Sequence, residues 1–297
     1  MIHKMIKDLK LREEINGIYL LRCALVKIAK NGKPYLLLSL ADCSGEIGGI
    51  LWNTDKIPAN AGAPVLLSGK VGKFNGNLQI EVSRISEAPN DDIIPELLFR
   101  TSPVSPEIML SKIRTVIASM KDRDYYAICE GLIQQNKEKL LTAPAAIRSH
   151  HACIGGLLMH IAGMLSCADY VAQQYSDAVD RDLLLAGIVL HDIGKLRAYA
   201  FSEWGVAFEY SQEGSKIGHA ALSSEMLDEA IEELHIPKEK ILPLKGLILL
   251  HHSDPGYRTV PQQSLEATIL HQLDMIDSSV AFARERPTNM RAVGSAA

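Results

Sequence analysis

The chain has 297 residues, of which 47% are apolar and 22% charged, and its formal net charge is −4 at pH 7. This length suits two domains, the apolar fraction is too high for a disordered chain, and the acidic balance excludes a protein that coats nucleic acid with basic charge. The apolar runs are shorter than the roughly 20 residues of a membrane-spanning helix. The five cysteines form no Cys-x-x-Cys pair, which predicts reduced thiols in the cytoplasm, without a disulfide framework or a cysteine-bound zinc site.

Residues 1–90 predict a small barrel of short strands. Five runs separated by turn signals are predicted as strands: 15–29, 34–41, 46–52, 64–71 and 78–85. Asn75-Gly76 before the last strand is typical of a two-residue hairpin turn, and the alternation of Ile80 and Val82 with polar residues is typical of a half-buried strand. Gly48-Gly49 predicts a β-bulge in the third strand. Five strands with a long first strand favour an OB-type barrel, although strand number alone leaves an SH3-like barrel as an alternative.

The rest of the chain predicts a linker at 91–105, a helical domain at 106–286 and a flexible tail at 287–297. Ser105-Pro106 indicates a helix start with proline in the first position. The predicted helices are 106–121, 123–138, 152–175, 180–193, 217–234, 238–252 and 264–284. The expected fold is therefore a two-domain chain, an all-β barrel followed by an all-α helical bundle.

Charge differs between the two halves. Residues 1–90 contain 12 Lys and Arg against 8 Asp and Glu, whereas residues 91–297 contain 19 against 27. The basic residues in or beside the barrel turns are Lys27, Lys30, Lys33, Lys70 and Lys73. The aromatic residues available for stacking on bases are Tyr19, Tyr35, Trp52 and Phe74. Together they favour a single-stranded nucleic acid bound along the barrel, and the alternative is that the aromatic rings fill the barrel core.

Polar residues in apolar helices indicate a functional site in the second half. The segment 182–193, DLLLAGIVLHDI, predicts a buried helix that ends in His191-Asp192. A buried carboxylate needs a strong partner, and imidazole with carboxylate suits a divalent metal ion. Similar apolar surroundings hold His160, His219, His251 and Asp274. One such histidine is usually a hydrogen-bonded core residue, but six residues in order on several helices predict a shared metal centre within a bundle.

The order His160, His191-Asp192 and Asp274 resembles the H…HD…D signature of the HD-domain metal phosphohydrolases. Several segments are further similar to the YhaM-type 3′–5′ exoribonucleases, which place an OB-type domain before the HD domain. These segments are HHACIGGLLMH at 150–160, HDIGK at 191–195, EGSKIGH at 213–219 and HH at 251–252. The resemblance covers nearly the whole chain except the tail. Met159 departs from the family pattern, in which an acidic residue is expected.

The resemblance implies a centre of two ions. One ion is held by His160, His191, Asp192 and Asp274, and Asp192 bridges to a second ion held by His219 and His251, with His252 as a competing ligand. Two divalent ions roughly 3.5–4 Å apart lower the pKa of a shared water, whose attack on phosphorus would release nucleoside 5′-monophosphates from a 3′ end. The mixed nitrogen and oxygen ligands favour Mn²⁺, with Fe²⁺, Co²⁺ or Mg²⁺ as alternatives.

Four further residues receive roles beside the ligands. Lys195 is expected to neutralise charge on the phosphate during catalysis together with Asp192, and its alternative is a cation at a helix C-terminus. His151 and His252 are expected to contact the substrate. Asp277 shares a helix face with Asp274 and is expected to orient a ligand rather than bind an ion.

Three functions remain open at the level of sequence. The first is a 3′–5′ exonuclease acting on single-stranded RNA, with single-stranded DNA as an alternative substrate. The second is an HD phosphohydrolase of small nucleotides with a regulatory barrel, and the third is a catalytically inactive nucleic-acid-binding adaptor. No P-loop, Rossmann or G-x-S-x-G motif is present. No membrane partner is expected, and an oligomer of identical chains stays open.

Overall fold

The computed structural model describes residues 3–147, 151–202, 207–232, 234–252 and 264–285. The predicted tail lies outside these described residues. The chain divides into two compact units, Met1–Thr101 with Phe201–Phe208 and Ser102–Ala200 with Glu209–Ala297. Among the described residues, no helix is both long enough and apolar enough to cross a membrane.

Five strands of the first unit close into a barrel in the order β1-β2-β3-β5-β4. The strands are β1 (Glu14–Ile28), β2 (Pro34–Asp42), β3 (Gly45–Trp52), β4 (Pro64–Phe74) and β5 (Asn77–Glu87). The long first strand pairs with β4 through its first half and with β2 through its second, and the register shifts between Leu21 and Cys23. Such an irregularity bends a strand. The bend lets β1 pair with both β4 and β2, which closes the barrel. This five-stranded arrangement is the predicted OB-type barrel.

The barrel turns and interior confirm some predictions and correct one. Asn75 and Gly76 both have positive φ, +47° and +87°, as the predicted hairpin turn requires. The predicted bulge at Gly48-Gly49 is wrong, because β2 and β3 stay in continuous register past both residues. The space at Gly49 is tight, since a Cβ there would lie 3.1 Å from Leu40 Cδ1. The irregularities of register lie instead in β1 and between Ser68 and Gly69.

The prediction that Tyr19 is available for base stacking is also wrong. Its side chain is fully buried, and its hydroxyl donates a hydrogen bond to the carbonyl of Lys4 at 2.8 Å. Burial raises the pKa of Tyr19 to about 12, so the phenol stays protonated. The ring therefore belongs to the barrel core, whereas Trp52 and Phe74 are exposed.

A buried carboxylate, Asp42, ties the N-terminal segment to the end of β2. Its Oδ2 accepts a hydrogen bond from the backbone N–H of Ile6 at 2.7 Å, and its Oδ1 accepts from the backbone N–H groups of Ser44 at 2.7 Å and Gly45 at 3.1 Å. Burial alone would raise the pKa of Asp42, but hydrogen bonds from His3, Ser44 and Ile6 outweigh it and hold the pKa below its ordinary value. The charged carboxylate is therefore a stabilising element of this unit.

Ten α-helices, two short strands and two short 3-10 helices, Ile6–Asp8 and Asn90–Asp92, make up the remaining elements of the described chain. The helices are α1 (Pro95–Leu98), α2 (Pro106–Ala118), α3 (Arg123–Gln135), α4 (Lys137–Thr142), α5 (Gly156–Gln174), α6 (Arg181–Leu190), α7 (Lys195–Ala198), α8 (Gln212–Ile231), α9 (Lys238–Leu250) and α10 (Leu265–Glu285). Ser105 and Pro106 start α2 as predicted, with proline in its first turn. Within the segment predicted as a linker, α1 forms and Leu98 and Phe99 are buried.

The second half is not entirely helical, which corrects the all-α expectation. β6 (Tyr199–Phe201) and β7 (Ala207–Tyr210) form a small two-stranded sheet. The rings of Tyr199 and Tyr210 meet edge to face with centroids 5.4 Å apart, and aromatic cross-strand pairs of this kind stabilise strands. The short runs are too brief for a strand signal to stand out between helices.

Two helix starts differ from the predicted ones for local reasons. α5 begins at Gly156 rather than at 152, because His151 and Gly155 adopt positive φ, +54° and +73°, which no α-helix contains. α8 begins at Gln212 rather than at 217, because the Ser211 hydroxyl caps it by accepting from the Gly214 N–H at 2.9 Å. A break at Gly218, with φ 78° and ψ 163°, divides α8 in two.

Helix α6 is the centre of the helical unit, as its sequence predicted. Every residue from Asp182 to Leu190 is buried, and the helix contacts α3, α5, α9 and α10. At Gly187 the approach of α9 is so close that a Cβ would lie 2.4 Å from Leu247 Cδ2. The C-terminal end of α6 therefore delivers its next residues to the middle of the bundle.

We expect Asp42→Ala to lower the free energy of unfolding of the barrel unit by about 3 kcal/mol at neutral pH, because buried N–H donors lose a charged acceptor. Because the folded-state pKa of Asp42 lies below the unfolded one, its stabilisation is present above the unfolded pKa and is lost as pH falls through the folded pKa. Urea unfolding measured by circular dichroism at several pH values checks this, with exposed Asp55→Ala as the control. Equal stability of the two variants at neutral pH would contradict it.

Candidate metal centre

Five helices bring all the predicted ligands into one cluster in the helical unit. His160 lies in α5, His191 and Asp192 follow the last residue of α6, and His219 follows the break in α8. The remaining ligands are His251, which follows α9, and Asp274 in α10. The side chains of His160, His191, Asp192 and His251 are at most 2% exposed. The six residues singled out in the sequence thus lie together in the folded chain.

The corner after α6 is fixed by its contacts with α8. The Ser223 hydroxyl donates to the carbonyl of His191 at 2.9 Å and accepts from the N–H of Gly194 at 2.8 Å. A Cβ on Gly194 would lie 2.1 Å from the carbonyl oxygen of His219. Glycine at this position is therefore required for α8 to approach the corner and carry His219 into the cluster.

A first group of donor atoms surrounds the Nε2 atom of His160. This atom lies 3.3 Å from His191 Nε2, 3.6 Å from Asp192 Oδ2 and 3.5 Å from Asp274 Oδ1. Ligands bound to one ion at about 2.1 Å lie about 3.0–3.4 Å apart. The spacing of these four residues is close to that of one metal-ion coordination sphere.

A second group lies on the other side of Asp192. His219 Nε2 is 3.4 Å from His251 Nε2 and 3.2 Å from His252 Nε2. Asp192 Oδ1 is 3.2 Å from His219 Nε2 and 3.8 Å from His251 Nε2. The two oxygens of Asp192 therefore face different groups, Oδ2 the first and Oδ1 the second, which is the arrangement of a bridging carboxylate.

Backbone carbonyls fix the orientation of two of the imidazoles. His191 Nδ1 donates to the carbonyl of Ile188 at 2.8 Å, and His251 Nδ1 donates to the carbonyl of Ile248 at 2.6 Å. Burial, with His191 nearby, lowers the pKa of His251 to about 2, so this imidazole is neutral and its Nε2 is unprotonated. Neutral imidazoles with Nδ1 protonated coordinate metals through Nε2.

The carboxylate of Asp192 gives an independent test of whether the residues fit a cation. Its Oδ1 is buried and accepts no hydrogen bond from the described residues. Burial alone would raise the pKa of Asp192, but Lys195 and His191 outweigh it and hold the pKa well below its ordinary value. A buried, ionised oxygen without a hydrogen bond, beside several imidazole nitrogens, matches the needs of a divalent cation.

The residues predicted to serve catalysis and substrate binding take different positions. Lys195 is buried, and its Nζ lies 2.5 Å from Asp192 Oδ2. His252 has a side chain that is 59% exposed, so it marks the side of the cluster open to solvent. His151 is 6% exposed, and its Nε2 lies 2.8 Å from Asp277 Oδ2.

Two residues of the site were not predicted. His271 Nδ1 donates to the carbonyl of His251 at 2.6 Å, which holds the corner after α9. Ser223 holds the corner after α6, as described above. The sequence contains no signal for either residue, because each acts through the backbone of a segment distant in sequence.

The residues of the cluster lie within a segment that matches a known protein family. The HD domain family model matches residues 157–279. HD-domain membership implies dependence on a divalent metal ion, and the His/Asp clusters described above are compatible with it.

Full-length relatives extend the match to the barrel. The 3′-5′ exoribonuclease YhaM of Listeria innocua serovar 6a is 33% identical over 284 residues, covering 94% of this chain and 90% of that protein. The protein of the same name from Bacillus subtilis (strain 168) is 33% identical over 275 residues, covering 90% and 86%. The solution structure of the second OB-fold domain of replication protein A from Methanococcus maripaludis matches with a TM-score of 0.26 at 25% identity, covering 29% of this chain and 95% of that one. By its identity to relatives over nearly its whole length, the chain belongs to the YhaM family of HD-domain proteins.

Proposed function

We propose that the protein is a metal-dependent 3′–5′ exoribonuclease that hydrolyses single-stranded RNA to nucleoside 5′-monophosphates. The observation that carries the proposal is the Asp192 carboxylate, whose two oxygens face two separate groups of imidazole nitrogens. Membership of the YhaM family, whose relatives carry the name 3′-5′ exoribonuclease, supports the reaction and its direction.

The proposal assigns the ligands to two ions. His160, His191, Asp192 and Asp274 would hold one, and Asp192, His219 and His251 the other. Mn²⁺ is the proposed metal, because nitrogen and carboxylate donors suit it, with Fe²⁺, Co²⁺ and Mg²⁺ as alternatives. Such ions, when bound, activate water and neutralise the charge of the phosphodiester.

The protein's own groups complete the electrostatics of the site. Lys195, whose Nζ lies beside Asp192, contributes a buried positive charge where the phosphate gains negative charge during attack. His252, on the exposed side, can donate a hydrogen bond to the incoming phosphate. The burial of the ligands excludes bulk water, which strengthens these interactions.

The barrel would supply affinity for RNA through its outer face. Lys27 of β1 is paired with Tyr35 of β2, which is paired with Trp52 of β3. The rings of Tyr35 and Trp52 lie 4.9 Å apart, so a cation and two aromatic rings form a row across three strands. A row of this composition suits a single strand, whose phosphates meet the lysine and whose bases stack on the rings.

Phe74 offers a second exposed ring, 61% accessible, beside Lys73 at the β4–β5 turn. Because this stacking is tolerant of sugar type, single-stranded DNA is proposed as a weaker alternative substrate.

The five cysteines are free thiols, which supports action in the reducing cytoplasm. Self-association is compatible with the proposal and is not required by it.

Replacement of Asp192 by Asn should lower the hydrolysis rate about a thousandfold or more, because the loss of a bridging charge removes several kcal/mol of transition-state stabilisation. The same variant should retain fewer ions per chain in elemental analysis. Asp177→Asn, at an exposed position of the same unit, is the matched control. Full activity of Asp192→Asn, or activity of the native protein after exhaustive chelation, would exclude the metal mechanism.

The direction and the product are tested with a 5′-labelled single-stranded RNA incubated with the protein and Mn²⁺. We expect a ladder of shortening labelled fragments on a gel and nucleoside 5′-monophosphates in solution, because removal from the 3′ end leaves the label in place. A stable duplex should slow the reaction. Hydrolysis of free nucleotides with intact oligomers would instead support the small-nucleotide phosphohydrolase.

Replacement of Trp52 or Tyr35 by Ala should weaken binding of single-stranded RNA about tenfold, because each ring removed costs about 1–3 kcal/mol of base stacking. Turnover of a small phosphodiester should change little, since the ligands lie in the helical unit. Tyr170→Ala, which removes a ring that is 68% exposed in α5, is the control. Unchanged RNA affinity in both barrel variants, measured by fluorescence anisotropy at two salt concentrations, would exclude this face.

A further inference from the structure

Asp277 stands outside the proposed ligand sets but contacts one of them directly. It lies in α10, three residues after Asp274. Its Oδ2 is 2.8 Å from His160 Nδ1 and 2.8 Å from His151 Nε2. The carboxylate therefore accepts from two imidazoles at once, one belonging to a proposed ligand and the other to a residue outside the cluster.

The position of His160 in its helix explains why it needs an outside acceptor. His191 and His251 each follow the last residue of a helix, and both donate Nδ1 to the carbonyl three residues earlier. Carbonyls in the last turn of a helix have no intrahelical partner and are available. His160 lies inside α5 (Gly156–Gln174), where backbone N–H groups occupy the carbonyls. Asp277 thus supplies the hydrogen-bond acceptor for His160 Nδ1, which helix-end carbonyls supply for His191 and His251.

The packing between α5 and α10 is shaped to admit this carboxylate. A Cβ on Gly163 would lie 2.7 Å from Asp277 Oδ1. Gly163 follows His160 by three residues, so it lies on the same face of α5. The space that any other side chain would fill is taken by the second oxygen of Asp277.

His151 is held against Asp277 by its own backbone. It adopts φ +54°, a region that non-glycine residues enter at a cost. Its carbonyl accepts from the N–H groups of Cys153 at 2.9 Å and Ala145 at 3.2 Å, and a Cβ on Gly156 would lie 1.9 Å from that carbonyl oxygen. The ring is therefore directed at the carboxylate by a constrained segment.

We propose that Asp277 is a positioning residue that fixes the orientation and tautomer of His160, and that His151 anchors Asp277 instead of contacting the substrate phosphate. An Nδ1–H donated to Asp277 leaves His160 Nε2 unprotonated and directed at His191, 3.3 Å away. Carboxylates that orient metal-bound histidines in this way commonly change metal affinity. The inference depends on the proposed function only in taking the centre to bind divalent ions.

The test measures Mn²⁺ binding to the metal-stripped full-length protein by isothermal titration calorimetry, without RNA. Asp277→Ala should weaken the tightest Mn²⁺ binding about 10- to 100-fold although every proposed ligand remains. Asp277→Asn keeps an acceptor oxygen and should recover much of the affinity. Gln272→Ala, an exposed position on the same helix, is the control. Circular dichroism of the metal-free variants establishes that they are folded.

The outcomes separate this inference from the proposed function. Wild-type Mn²⁺ affinity in folded Asp277→Ala would overturn the positioning role, whether or not the protein degrades RNA. His151→Ala should weaken Mn²⁺ binding several-fold, and an increase in KM for RNA with unchanged Mn²⁺ affinity would overturn its assignment as an anchor. His151, His160 and Asp277 also have the spacing of a metal site, so a third ion per chain that is lost in Asp277→Ala would overturn the hydrogen-bonded arrangement.

Discussion

The ionised carboxylate of Asp192, buried at the end of an apolar helix, is the constraint on which the helical unit depends. An ion removed from water is costly unless opposite charge or strong donors surround it. Lys195 contributes one such charge at 2.5 Å, but the other oxygen accepts no hydrogen bond from the described residues. The helices that meet at this point each contribute nitrogen or oxygen atoms. The packing of the bundle therefore also determines which atoms surround the buried charge.

Glycine residues allow these helices to approach closely enough for the site residues to meet. Gly163, Gly187 and Gly194 each lie where a Cβ would come within 2.7 Å of an atom on another element. The atoms concerned belong to Asp277 in α10, Leu247 in α9 and His219 in α8; α10 and α8 carry site residues, and α9 leads directly into His251. Close helix approach here therefore serves the convergence of ligands as well as packing density.

Residue patterns predicted which side chains meet in the helical unit, because polar residues in apolar helices have few alternative explanations. They predicted the barrel because turn chemistry at Asn75-Gly76 is local. They failed where an outcome depended on three-dimensional packing. Tyr19 fills the barrel core instead of lying on its surface, and Gly49 lies in a continuous register instead of a bulge. The acceptors of the imidazole Nδ1 atoms also divide into local ones and ones that are distant in sequence. Those of His191 and His251 lie three residues away in sequence, whereas His160 is served by Asp277, 117 residues later.

The distribution of charge gives a reason for joining the two units in one chain. Residues 91–297 carry 19 basic against 27 acidic side chains, so a metal-free helical unit repels a polyanion. Bound divalent ions correct the sign of the potential only near the site, because salt screens charges within about 10 Å. Long-range attraction and retention of an RNA strand must therefore come from elsewhere. The barrel, with 12 basic against 8 acidic residues in 1–90 and exposed aromatic rings, has the composition for this task. Under the proposed function, covalent linkage would raise the effective concentration of a barrel-bound strand near the metal centre, so that an acidic unit could act on an acidic substrate.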